Sequence, residues 1–144
     1  MDTALISLLA SIVGGTLVVL GQILARRLDD HRHWQTLLHI AAAEVATSYE
    51  QERARLTLDR RQGKSTPTSA EAAYVVGRQT ALGRLRTLPN GDKFEAEIDE
   101  MGAAIERLWG AWNHPDHAWL DARAAVAVAI ERFSTKVREQ VSTT

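Results

Sequence analysis

The stretch Phe94–Trp112, FEAEIDEMGAAIERLWGAW, decides the fold. Its apolar residues Phe94, Ile98, Met101, Ile105, Leu108 and Trp112 recur in alternating steps of four and three. An α-helix completes a turn in about 3.6 residues, so this spacing keeps one line of side chains on one face. The line is narrow, a seam of the coiled-coil type. Charged residues, Glu95, Glu97, Asp99 and Glu100 among them, occupy the intervening positions.

Helical patterning continues on both sides of this segment. Downstream, Asn113-His114-Pro115-Asp116 ends the helix, and another is expected over 117–141. Its buried candidates are Leu120, Ala124, Ala127, Ile130, Phe133 and Val137. Ala118–Ile130 is apolar, but Asp121 and Arg123 rule it out as a membrane span. Upstream, Pro89-Asn90-Gly91 stops a helix over 68–88 that carries Tyr74, Val75, Ala81, Leu82 and Leu85. Thr68 and Glu71 have the spacing of a capping box at its start, and Asp92 and Glu95 repeat the arrangement for a helix over 92–113. Before these, Trp34, Leu37, Leu38, Ala41, Val45, Tyr49 and Leu56 form an amphipathic stripe over 26–60. The polar run RQGKSTP at 61–67, with Gly63 and Pro67, breaks it. Short connections make neighbouring helices antiparallel. Arg78, Arg84 and Arg86 then either pair with the acidic helix at 92–113 or sit toward lipid headgroups beside Arg26 and Arg27.

The N-terminal segment reads differently. Ala4–Ala25, ALISLLASIVGGTLVVLGQILA, holds 22 residues without a charge. At ~1.5 Å rise per residue it is ~33 Å long, enough for a hydrocarbon core of ~30 Å. It lacks the positive n-region of a signal peptide and is longer than the usual apolar h-region. Arg26 and Arg27 follow it and no basic residue precedes it, which predicts residues 1–3 outside and 26–144 in the cytoplasm. Arg26 and Arg27 are then headgroup contacts. On a helical wheel Ser7, Ser11, Gly14, Gly15 and Gln22 gather on one side, a transmembrane packing face suited to close helix approach. The resulting expectation is an all-α protein: one transmembrane helix at 4–25 continuing into a small antiparallel bundle of about four helices.

The run ILARRLDDHRHWQ followed by an alanine- and arginine-rich helix resembles uncharacterised single-pass membrane proteins of actinobacteria and their phages. The resemblance spans 4 to about 55 and is compositional. It implies a phage-encoded membrane role such as lysis or exclusion of competing phages.

Composition excludes more than it selects. There is no cysteine, hence no disulfide and no thiolate ligand or nucleophile. Asp2 is the only charge before Arg26, so the remainder has 17 basic and 17 acidic side chains (18 acids less Asp2). That balance argues against nucleic acid as a partner. His31, His33 and His39 do not share the spacing of a zinc site, and His114 and His117 flank a turn, so no metal ligand set is assigned. No Ser–His–Asp set or phosphate-binding glycine loop is present, so no catalytic residue and no cofactor is assigned. Among the four tryptophans, Trp109 and Trp119 either extend the core or form a partner-binding surface. The function expected is a membrane-anchored, non-enzymatic helical interaction or scaffold protein, a homo-oligomer formed through its span. The alternative is a phage-type membrane effector, holin-like or of the superinfection-exclusion kind.

Overall fold

A computed structural model describes the backbone of residues 2–64 and 71–142, and the side chains of 22, 25–27, 29–64 and 74–142. The described residues are all-helical: α1 (Asp2–Arg61), α2 (Glu71–Thr87), a short 3-10 turn (Gly91–Phe94), α3 (Glu95–Gly110) and α4 (Asp116–Ser142). The chain divides into two compact units, Met1–Thr36 and Leu37–Thr144.

The first unit is the leading part of α1. Its described side chains are mostly exposed and include Gln22, Arg26, Arg27, Asp29, Asp30 and Arg32. Local contacts dominate: Gln35 Nε2 meets His31 Nε2 at 3.1 Å, the Thr36 hydroxyl donates to Arg32 O at 2.9 Å, and His33 stands edge-on to Trp34.

The expected localisation, a single-pass cell-membrane protein with its N-terminus outside and its C-terminal domain cytoplasmic, is corrected by the structure. Among the described residues no helix is long and apolar enough to cross a membrane. The physical reason, for the described side chains, is charge: Arg26, Arg27, Asp29, Asp30 and Arg32 fall within two turns of α1, and each would be costly in hydrocarbon. Ser7, Ser11, Gly14 and Gly15, the expected packing face, lie outside the residues whose side chains are described.

The second unit is a helical bundle whose helices run antiparallel to their neighbours. Glu44 pairs with Arg84 and Glu52 with Arg78, so α1 and α2 run in opposite directions. Arg86 meets Glu95 near the α2–α3 turn. Phe94 packs edge-on to Phe133 at 5.9 Å, while Trp112 meets Trp119 at 5.7 Å at the other end of α3 and α4. Arg132 and Glu100 also join α4 to α3. Arg60 bonds Asp116, which returns α4 to the end of α1.

The seam on α3 forms as its spacing requires: Phe94, Ile98, Met101, Ile105 and Leu108 are buried and Trp112 is half-buried. Truncating a buried phenylalanine such as Phe94 or Phe133 to alanine typically costs about 3–5 kcal/mol. On α1, Leu38, Ala41, Ala42, Val45, Tyr49 and Leu56 are buried, together with Glu52 and Asp59, whereas Trp34 is exposed. On α4 the buried set is Trp119, Val126, Ala129, Phe133 and Val137. Leu120 and Ala124, expected inside, are exposed, because the first two turns of α4 are rotated to turn Trp119 inward.

Two turns set helix ends. At the end of α1, Gly63 takes φ 70°, a left-handed conformation that glycine adopts without strain. Its N–H donates to Arg60 O at 3.0 Å and the Lys64 N–H donates to Asp59 O at 3.2 Å, the two bonds of a Schellman cap. Between α2 and α3, Asn90 holds φ 65°, and a Cβ on Gly91 would lie 2.0 Å from Leu85 O. Glycine is therefore required at 91 by close backbone approach. The capping arrangement expected of Asp92 and Glu95 does not form: both lie past the turn's entry, and Phe94, with no side-chain cap bond, precedes α3. Thr68 lies outside the described residues.

Candidate functional site

Among the described residues, two acidic side chains, Glu52 and Asp59, are buried, and Glu52 lies between helices. Glu52 is 1% exposed. Its Oε2 accepts from Arg78 Nη1 at 2.7 Å and its Oε1 accepts from Trp109 Nε1 at 2.8 Å. One carboxylate thus ties α1 to α2 and to α3. The Arg78 guanidinium also stacks over the Tyr49 ring at 5.3 Å. Burial pushes the Tyr49 phenol above its ordinary range, against the opposing pull of Arg78. Both carboxylate oxygens of Glu52 are engaged inside the protein, so its role is to hold helices together.

An open groove lies outside this cluster, between α1 and α2. Ile40, Ala43, Glu44, Thr47 and Gln51 of α1 line one wall, and Gly77, Thr80, Ala81 and Arg84 of α2 line the other. Steps of three and four place each set on one helix face. The side chains are too short to fill the space, leaving a cleft of about 620 Å³. Ile40 is 51% exposed on one edge, and Val76, beside Gly77, is 65% exposed. Glu44 and Arg84 bridge across the groove at 3.1 Å, leaving one charge of each sign accessible. A Cβ at Gly77 would meet nothing within 4 Å, so no contact inside the chain demands glycine there.

The sequence-expected site residues are distributed as follows. Gln22, Arg26 and Arg27 are exposed in the first unit. Trp119 is buried, flanked by Trp112 and by Arg60, whose guanidinium carbon lies 4.7 Å from the ring centroid. Trp109 is half-buried with its N–H held by Glu52. Both tryptophans therefore take the core-packing alternative. Arg86 pairs with the acidic third helix through Glu95, at 2.7 and 2.8 Å. Arg84 and Arg78 instead find acids on α1, which an amphipathic reading of α1 does not single out. His39 borders the groove, while His114 and His117 are exposed at the α3–α4 turn.

The groove itself was not marked by any sequence motif. The available signal is Gly77, a glycine in a helix interior that costs about 1 kcal/mol against alanine without a turn to justify it. No protein-family model, curated protein or solved structure matches this chain, so function is argued from its own residues.

Proposed function

We propose that this protein is a non-enzymatic helical interaction protein that self-associates, two copies meeting through their α1–α2 grooves. The observation that carries this reading is the groove's composition: small side chains along its floor, with Ile40 exposed at its edge. Small residues allow close helix approach, and covering half-exposed aliphatic side chains is worth about 25 cal/mol per Å² of apolar area. The occupant is a second copy because the groove is self-complementary in charge. Under a two-fold axis, Glu44 and Arg84 of one copy face Arg84 and Glu44 of the other, which a symmetric interface requires. The balanced charge after Arg26 leaves no net repulsion between copies.

Sedimentation velocity of the full-length chain across a concentration series tests the proposal, with Thr47→Arg/Gly77→Arg as the paired variant. Both positions are exposed, and thermal melting at low concentration checks that the fold survives. Self-association is expected in the parent and weaker by about tenfold or more in the variant, which buries like charges against each other. A monomeric parent at ~100 µM, or equal association in both proteins, overturns the proposal.

A further inference from the structure

At the far end of the bundle, the last turn of α1 and the first turns of α4 enclose a second cleft, of about 300 Å³. Arg60, Arg61 and Arg123 line it, with Trp119, Leu120 and a single acid, Asp116. Three guanidinium groups against one carboxylate leave an excess of two positive charges, in a chain whose formal net charge is −1. The Asp116 side chain is 93% exposed, so it screens the cleft weakly.

Two of the arginines are free to act on a ligand. Among the described residues neither Arg61 nor Arg123 has an acidic partner, whereas the neighbouring Lys64 is held by Asp59 at 2.7 Å. Arg60 is fixed rather than free. Its Nη2 donates to His114 O at 2.8 Å and to Asp116 Oδ1 at 3.0 Å, and its guanidinium lies over Trp119. Its Nη1 is buried and has no hydrogen-bond partner. A buried guanidinium nitrogen without an acceptor is an unmet demand for an anionic oxygen. The Schellman cap at Gly63 holds the last turn of α1, and with it Arg60 and Arg61, in a fixed relation to that demand. The first turn of α4 adds the positive end of a 27-residue helix.

The apolar part of the cleft narrows the ligand further. Leu120 is 53% exposed beside the buried Trp119. It offers aliphatic contact next to the cationic groups. A volume of about 300 Å³ is at the lower limit of small-molecule sites.

We infer that this cleft binds a compact phosphate monoester, its phosphate held by Arg60, Arg61 and Arg123 and its apolar group resting on Leu120. Three guanidinium groups lining one cleft suit a dianionic tetrahedral group, which offers three oxygens, better than a planar carboxylate with two. The site is distinct from the α1–α2 groove and does not depend on self-association.

Isothermal titration of the full-length chain with phenyl phosphate in low salt tests the inference, with inorganic phosphate and sulfate as the control anions. Saturable one-site binding is expected, weaker by about tenfold for inorganic phosphate, which lacks the group that covers Leu120. Arg61→Gln/Arg123→Gln should weaken phenyl phosphate binding by about tenfold or more while the melting temperature of the unliganded protein stays unchanged. Those side chains lie outside the core, so loss of binding with an intact fold isolates their role. The inference is overturned by any of three results: no saturable binding, equal affinity in the double variant, or sulfate binding as tightly as phenyl phosphate, which would mark an adventitious ion only.

Discussion

Removing Glu52 perturbs the bundle at the most buried ion pair among the described residues. Glu52→Ala leaves the Arg78 guanidinium, whose side chain is only 15% exposed, without its counter-charge, and the Trp109 N–H without an acceptor. Breaking one side of a buried ion pair typically costs about 3–5 kcal/mol, part of it the desolvated charge left behind. At roughly 4–5 °C per kcal/mol for a unit of this size, the melting temperature should fall by about 12–25 °C. Glu52→Gln keeps an acceptor for Trp109 and loses only the charge, so it should fall between parent and alanine variant. Glu52→Leu/Arg78→Met removes both ions. Apolar replacement of a whole buried pair is neutral to stabilising by about 1–4 kcal/mol, set against ~1–3 kcal/mol for the orphaned indole N–H. The double variant should therefore lie within about 3 kcal/mol of the parent. Urea unfolding followed by circular dichroism, arranged as a double-mutant cycle with Arg78→Met, measures the coupling. A coupling energy below about 0.5 kcal/mol would refute the reasoning, because Glu52 and Arg78 would then act independently.

Other substitutions probe the helix ends and the groove. Gly77→Ala meets open space and should raise stability by up to about 1 kcal/mol, whereas Gly91→Ala should lower it in thermal melts because its Cβ would collide with Leu85 O. The Asp59 carboxyl is held below its ordinary range, first by the hydrogen bond from Lys64, with burial opposing and Arg55 assisting. Since the folded value is the lower one, this contribution is complete above the unfolded carboxylate pKa and is lost as pH falls through the folded one. Lys64→Met should move the acid limb of the stability profile to higher pH, and an NMR titration of the Asp59 carboxyl should follow it upward.

Helix content and the α3 seam were legible because both depend on local periodicity. The seam from Phe94 to Leu108 buries as its steps of four and three require. Periodicity placed the stripe of α4 less well, since Leu120 and Trp119 are adjacent large apolar residues and only tertiary packing selects between them. The buried carboxylates on α1 had a signal that an apolar count passes over. Leu38, Val45, Glu52 and Asp59 are spaced by seven, so two acids stand in line with two core residues. The partners of Glu52 were not legible, because Arg78 and Trp109 approach only after the chain has folded back, whereas Lys64 lies five residues from Asp59. The single-pass reading failed for a related reason. It rested on the apolar run at 4–25, most of whose side chains lie outside the described residues, and among those described no helix is long and apolar enough to cross a membrane.

Glu52 also bears on how sharply the bundle defines its own alignment. Alanine recurs at buried positions on all four helices, at 41, 42, 81, 104, 111 (just past α3) and 129. Surfaces so smooth present few ridges, and sliding one helix past its neighbour by a turn, about 5.4 Å, would cost them little in packing. A carboxylate that must meet a guanidinium on one helix and an indole on another admits a single setting, since no neighbouring register offers both donors. The contact acts as an index pin, separating the native alignment from near-degenerate ones. The double variant Glu52→Leu/Arg78→Met should then keep most of its stability yet give broadened amide resonances, the mark of a bundle that no longer chooses one register.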